Sequence, residues 1–141
     1  GDVFMKGANA LNYERAQAGV LIGHPTGGNV GAFIGSCMAR RIRFVHPVGL
    51  EKSVGIDLEE AAAMINEDPQ GKGPTLWVVP GDIFTEIEAL DALTGVQAVP
   101  VGAGGIGGAE GAVWLALFGT ASEISATEGI IEGIRNEPAF V

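Results

Sequence analysis

The sequence predicts an α/β fold built on a mostly parallel sheet. Short apolar runs rich in β-branched and aromatic residues, each bounded by Gly or Pro, alternate with stretches whose apolar residues recur at a helical period. The helical stretches are long enough to serve as crossovers between parallel strands. A further observation is the 23 glycines in 141 residues, about twice the usual share, many of them placed just after strand candidates.

Strands are expected at 3–6, 19–22, 42–48, 76–80, 96–101 and 112–118. Between the second and third, Val30, Phe33, Ile34, Cys37 and Met38 form one helical stripe, and Arg40 and Arg41 complement the carbonyl end of that helix. Asp57 opens the next helix as an N-cap, with Glu60 three residues on. Its buried face is Leu58, Ala61, Ala62 and Ile65, and it ends before Pro69. A third helix is expected over 83–93, capped by Asp82 and stopped by Gly95, with Ile83, Ile87, Leu90 and Leu93 in its stripe. A last helix is expected over 125–136, with Ser125 and Glu128 as a capping box and Thr127, Ile130, Ile131 and Ile134 facing inward. From Pro74 the order reads βαββα, the arrangement of a ferredoxin-like unit. The expected organisation is an α/β lobe over 1–68 and a smaller α+β lobe over 74–141, or else one single α/β domain.

Composition excludes several classes of function. Seventeen acidic against eight basic side chains give a net charge of −9, unsuited to neutralising phosphates along a nucleic acid. No apolar run approaches the roughly 18 residues that suggest a membrane span, so no membrane partner is expected. The single cysteine, Cys37, rules out an intrachain disulfide and a multi-cysteine metal site. His24 and His46 stand 22 positions apart with no third ligand in sight, so neither a metal nor a resident cofactor is expected. No secretory signal pattern is visible, and the expected location is cytoplasmic. An apolar content of 47% predicts a homo-oligomer. The chain opens on Gly1 directly before an apolar run. Either a trimmed start or further fold residues upstream is consistent with that.

Three segments carry candidate chemistry. The first runs from Gly23 to Gly31 (GHPTGGNVG) between a strand and a helix. Ligands bind at such strand ends in open α/β sheets, and a helix N-terminus favours an anion. Gly27 and Gly28 would let a phosphate or carboxylate approach the backbone, and Thr26 and Asn29 could add hydrogen bonds. A plain tight turn would use the same glycines for positive φ. The second segment follows the first strand. There Lys6 and Asn9, with Asn12, suit an oxyanion or hydroxyls, or form an ordinary strand exit. The third is Gly49-Leu50-Glu51-Lys52-Ser53, where Glu51 could act as acid or base and Lys52 as an anion partner, or both could be surface charge. His24 is the other candidate acid or base because of its loop position. Gly102, Gly104 and Gly107 also spell G-x-G-x-x-G, the dinucleotide pattern. The following 112–118 reads as a strand rather than the helix that pattern needs.

The segments Lys6-Gly7-Ala8-Asn9-Ala10, Pro25-Thr26-Gly27-Gly28-Asn29 and Gly49-Leu50-Glu51-Lys52-Ser53-Val54, in their strand and helix order, resemble the superfamily of ribose-5-phosphate isomerase, glucosamine-6-phosphate deaminase and CoA transferases. The resemblance covers residues 1 to about 55. It implies a Rossmann-like sheet whose Gly-rich loops bind a phosphorylated sugar or a CoA ester, with isomerase- or transferase-type chemistry. The family's Gly-Ala-Asp motif stands here as Gly7-Ala8-Asn9, and an Asn cannot take up a proton as a carboxylate does. That departure favours a non-catalytic metabolite sensor or assembly subunit. A nucleotide-dependent oxidoreductase rests on Gly102–Gly107 alone.

Overall fold

The computed structural model describes residues 1–135, 137 and 138. Eight strands and four helices follow in order: β1 (Val3–Met5), β2 (Ala10–Asn12), β3 (Gln17–Ile22), α1 (Gly28–Ala39), β4 (Arg43–Pro47), α2 (Leu58–Asn66), β5 (Thr75–Val78), β6 (Asp82–Phe84), α3 (Glu86–Thr94), β7 (Gln97–Ala103), β8 (Val113–Phe118) and α4 (Ala121–Ile134). A 3-10 turn, Leu50–Lys52, lies between β4 and α2. The chain forms two compact units, Gly1–Thr85 and Glu86–Val141. No described helix is long and apolar enough to cross a membrane.

The first unit holds two three-stranded sheets. One is parallel, in the order β1-β4-β6. The other is antiparallel, in the order β2-β3-β5. The expectation of a mostly parallel sheet is therefore met in one sheet, while β3 runs antiparallel to both its neighbours. The physical reason is β2, a three-residue strand that no local pattern announces. Its three residues fold back on β3 through a short turn, pairing Ala10 with Gly19 and Asn12 with Gln17, and a short hairpin is the antiparallel solution.

The segment 66–74, expected as a connection between lobes, lies inside this unit because β5 pairs with β3. Asn66 seals the junction: its amide donates to the Leu76 carbonyl (3.0 Å) and its side-chain oxygen accepts the Leu76 N–H (3.3 Å). Fully buried Leu11 and Leu58 anchor the core here, each burial contributing about 1.5–3 kcal/mol. Helix α1 buries Val30 and Cys37, seven residues apart on one stripe.

The second unit is a β7–β8 hairpin with α3 and α4. Leu90, Val96 and Ala98 form its buried cluster, with Ile87, Leu115, Leu117 and Ile124 packed on it. The strand expected to begin a βαββα lobe is β5, which belongs to the first unit, so the described residues here read α-β-β-α. Helix α3 starts at Glu86 rather than 83. Residues 82–84 instead extend the parallel sheet, Ile83 lying opposite His46, and tertiary pairing overrides a helical stripe of that length. Helix α4 starts at Ala121, because the capping box that forms is Thr120 with Glu123. Glu123 accepts the Thr120 N–H at 2.6 Å and the Thr120 hydroxyl accepts the Glu123 N–H at 3.3 Å. Ser125 falls inside the helix, and Asn136, the expected last residue, lies outside the described residues.

Asp57 caps α2 as expected, accepting the Glu59 N–H at 2.9 Å. The Gln17 side-chain amide donates to the same carboxylate at 2.9 Å, and Arg15 pairs with it at 3.1 Å. These partners, Gln17 foremost, hold the Asp57 carboxyl below its ordinary 3.8. A depressed folded value means stability present above the unfolded value and lost as pH falls through the folded one. Asp57→Asn keeps an N-cap acceptor but removes the titration. The expected result is a melting temperature that falls less steeply than wild type below about pH 4. An identical acid dependence would remove Asp57 from the acid response.

Candidate functional site

Lys6 and Asn9 leave the end of β1, and residues 22–30 leave the end of β3. The structure brings these two segments together around one open pocket of about 320 Å³. Its wall is Lys6, Asn9, His24, the Val20–Gly23 stretch and the start of α1 through Val30. None of these residues is acidic.

Each polar group in the wall has a structural reason for its place. The Lys6 N–H donates to the Val45 carbonyl at 3.0 Å, ending the β1 ladder. Its ammonium donates to the Gly7 carbonyl at 3.0 Å and meets no carboxylate among the described residues. Asn9 continues the β2–β3 pairing by two means: its N–H donates to the Gly19 carbonyl (2.8 Å), and its side-chain oxygen accepts the Leu21 N–H (3.0 Å). With the amide oxygen fixed this way, the amide NH2 is the end left for a ligand.

The Gly-rich segment is a turn that delivers a helix. The Gly27 N–H donates to the His24 carbonyl at 3.0 Å, with Pro25 in the position its ring favours. Gly27 (φ 82°) and Gly28 (φ 57°) are both left-handed, which only glycine adopts without cost. The positive φ values are those the turn reading of these glycines requires. Gly27 is the N-cap and brings no side chain to the helix end. The first intrahelical bond runs from the Gly31 N–H to the Gly27 carbonyl. The N–H groups of Gly28, Asn29 and Val30 thus have no acceptor within the helix, and all three residues line the pocket.

The Thr26 N–H donates to His24 Nδ1 at 3.3 Å, and the Thr26 hydroxyl lies 3.0 Å from the same atom. An accepting Nδ1 places the proton of the neutral ring on Nε2. Thr26 therefore orients His24 rather than lining the pocket. Glu51 and Lys52 lie on the 3-10 turn, pair with one another at 3.9 Å and are not part of this wall. The Glu51 carboxylate folds over Gly49, where a Cβ would stand.

Val30 and the strand residues Val20–Ile22 complete the wall beyond the residues that local pattern marks. The signal for Val30 is present in the glycines: a helix capped at Gly27 has residues 28–30 as its first turn. The Gly102–Gly111 segment joins β7 to β8. Gly102 lies opposite Trp114 in the hairpin, whose indole N–H donates to the Gly104 carbonyl at 2.9 Å. The strand-to-helix setting of a dinucleotide loop is not formed there. Backbone N–H groups of Glu110 itself and of Gly108 hold the Glu110 carboxyl below its ordinary range. Among the described residues no three His, Cys, Asp or Glu side chains are grouped to hold a metal.

No family model, curated protein or solved structure matches the chain.

Proposed function

We propose that the pocket between Lys6 and the start of α1 binds the oxyanion group of a small phosphorylated or carboxylated metabolite, a sugar phosphate or a CoA ester. The observation that carries this reading is the make-up of the wall. Among its lining residues Lys6, Asn9 and His24 carry an ammonium, a side-chain amide and an imidazole, Gly28, Asn29 and Val30 form the first turn of α1, and none is a carboxylate. Donors of these kinds form short charge-assisted hydrogen bonds to an oxyanion, aided by the helix dipole.

The parallel β1-β4-β6 sheet supports a Rossmann-like lobe related to the isomerase and CoA transferase superfamily, and the antiparallel β3 departs from it. His24 is the imidazole of the wall and the candidate acid or base there. Asn9 in place of a carboxylate, with Glu51 outside the wall, favours a sensor over an isomerase.

Thermal melting with inorganic phosphate, sugar phosphates, CoA and NADH tests the reading. A ligand at a hundredfold excess over its Kd is expected to add about 2.7 kcal/mol. Stabilisation by none of the phosphorylated ligands would overturn the proposal. Stabilisation by NADH alone would favour the oxidoreductase.

A further inference from the structure

His46 lies in β4 at 0% exposure, and both its ring nitrogens face backbone carbonyls. Nδ1 stands 2.8 Å from the Lys6 carbonyl, and Nε2 stands 3.1 Å from the Val79 carbonyl. A carbonyl only accepts, so both contacts are hydrogen bonds only when both nitrogens carry hydrogen, which is the imidazolium. In the neutral ring one nitrogen turns a lone pair toward a carbonyl oxygen.

The ring is enclosed by an aromatic face and a tight turn. The Phe44 ring centroid lies 4.9 Å from that of the imidazole, within cation–π range. Gly81 closes over the ring so tightly that a Cβ there would come within 2.8 Å of Cδ2. The charged groups on the neighbouring elements are few. From β1 there is Lys6 itself. From β6 there is Asp82, which pairs with Arg43 at 2.6 Å. Arg43 lies on the opposite face of β4 from Phe44 and His46, because side chains alternate along a strand. The turn Val79-Pro80-Gly81 brings no ionisable side chain.

The geometry points to His46 as a proton-dependent positioning residue for the oxyanion site. Doubly protonated, it clamps the Lys6 carbonyl to the Val79 carbonyl, and the site binds a dianion more tightly than when the ring is neutral. Two effects act in the same direction. Loss of a proton breaks one arm of the clamp that fixes where Lys6 leaves β1. It also removes a positive charge one hydrogen bond from the Lys6 backbone, in an interior that salt screens little. Affinity therefore falls as pH rises and the ring gives up its second proton. This inference rests on the binding reading above.

The chain holds only two histidines, so His24→Gln leaves His46 as its sole imidazole. Sulfate is the probe because its charge is constant across the range. In His24→Gln, sulfate affinity is expected to fall at least about fivefold from about pH 5 to about pH 8. The fall is expected to vanish in His24→Gln/His46→Gln. Ring nitrogen NMR of His24→Gln needs no change at His46, and is expected to show both nitrogens protonated at the acid end and one at the alkaline end. A flat sulfate profile in His24→Gln, or a neutral ring at the acid end, would overturn the proposal. Absence of sulfate binding by wild type at every pH would overturn the binding reading and the coupling with it. The ring spectrum decides the clamp separately.

Discussion

Lys6→Met is expected to weaken sulfate binding roughly 10- to 100-fold, with little change in the melting temperature of the free protein. A hydrogen bond to a charged group contributes about 1.5–3 kcal/mol, which sets that range. The Lys6 ammonium has a backbone carbonyl as its partner and no carboxylate among the described residues, so its charge is free to serve a ligand. Methionine keeps an apolar stem of similar length and removes the charge. Lys6→Arg restores a cation and is expected to restore most of the affinity. Titration calorimetry with sulfate measures all three. An unchanged affinity in Lys6→Met would remove Lys6 from the site.

Gly31→Ala is expected to lower stability by about 1–3 kcal/mol, the cost of forcing a methyl into packed structure. It should also impair sulfate binding. A Cβ at Gly31 would collide with the Thr26 carbonyl oxygen and lie 3.1 Å from its carbon. Neither side can move aside cheaply. Thr26 is held by His24 Nδ1, and Gly31 is held by its bond to the Gly27 carbonyl. Gly35→Ala in the same helix is the control. Its Cβ would meet nothing within 4 Å, so helix propensity alone applies and a gain of about 0.5–1 kcal/mol is expected. Thermal melts of the pair separate packing from propensity. A Gly31→Ala protein as stable as Gly35→Ala would show that the turn does not need its glycine there.

Helices α1 and α2 and most strands were legible in the sequence because their signals are local. The acid before α2, the Val30–Cys37 spacing of α1, whose expected stripe partners Phe33 and Met38 stand exposed, and the β-branched runs between glycines act over a few residues. Strand partners were not legible. Residues 10–12 and 82–84 carry three-residue strands whose existence depends on Gly19 and Val45 lying beside them. The capping box illustrates the same limit. Thr120–Glu123 and Ser125–Glu128 have the same pattern, and the helix starts at the first. Residue type beside strand ends marks Lys6, Asn9, His24, Gly27, Gly28 and Asn29, and the structure draws these six together. The same logic marks Glu51 and Lys52, which are held apart from that wall. The 3-10 turn after β4 is tied to β2 through the Val54 N–H and the Leu11 carbonyl, a pairing that no local pattern announces. No local pattern marks His46, since the two carbonyls around it come from Lys6 and Val79.

The most direct test of the binding site is an amide NMR titration of the wild-type protein with sulfate. The expected result is saturable shifts confined to the backbone amides of Gly28, Asn29 and Val30 and the side-chain amide of Asn9, with Lys6 and His24 following. Shifts centred elsewhere, or none at saturating sulfate, would contradict an oxyanion site at the start of α1.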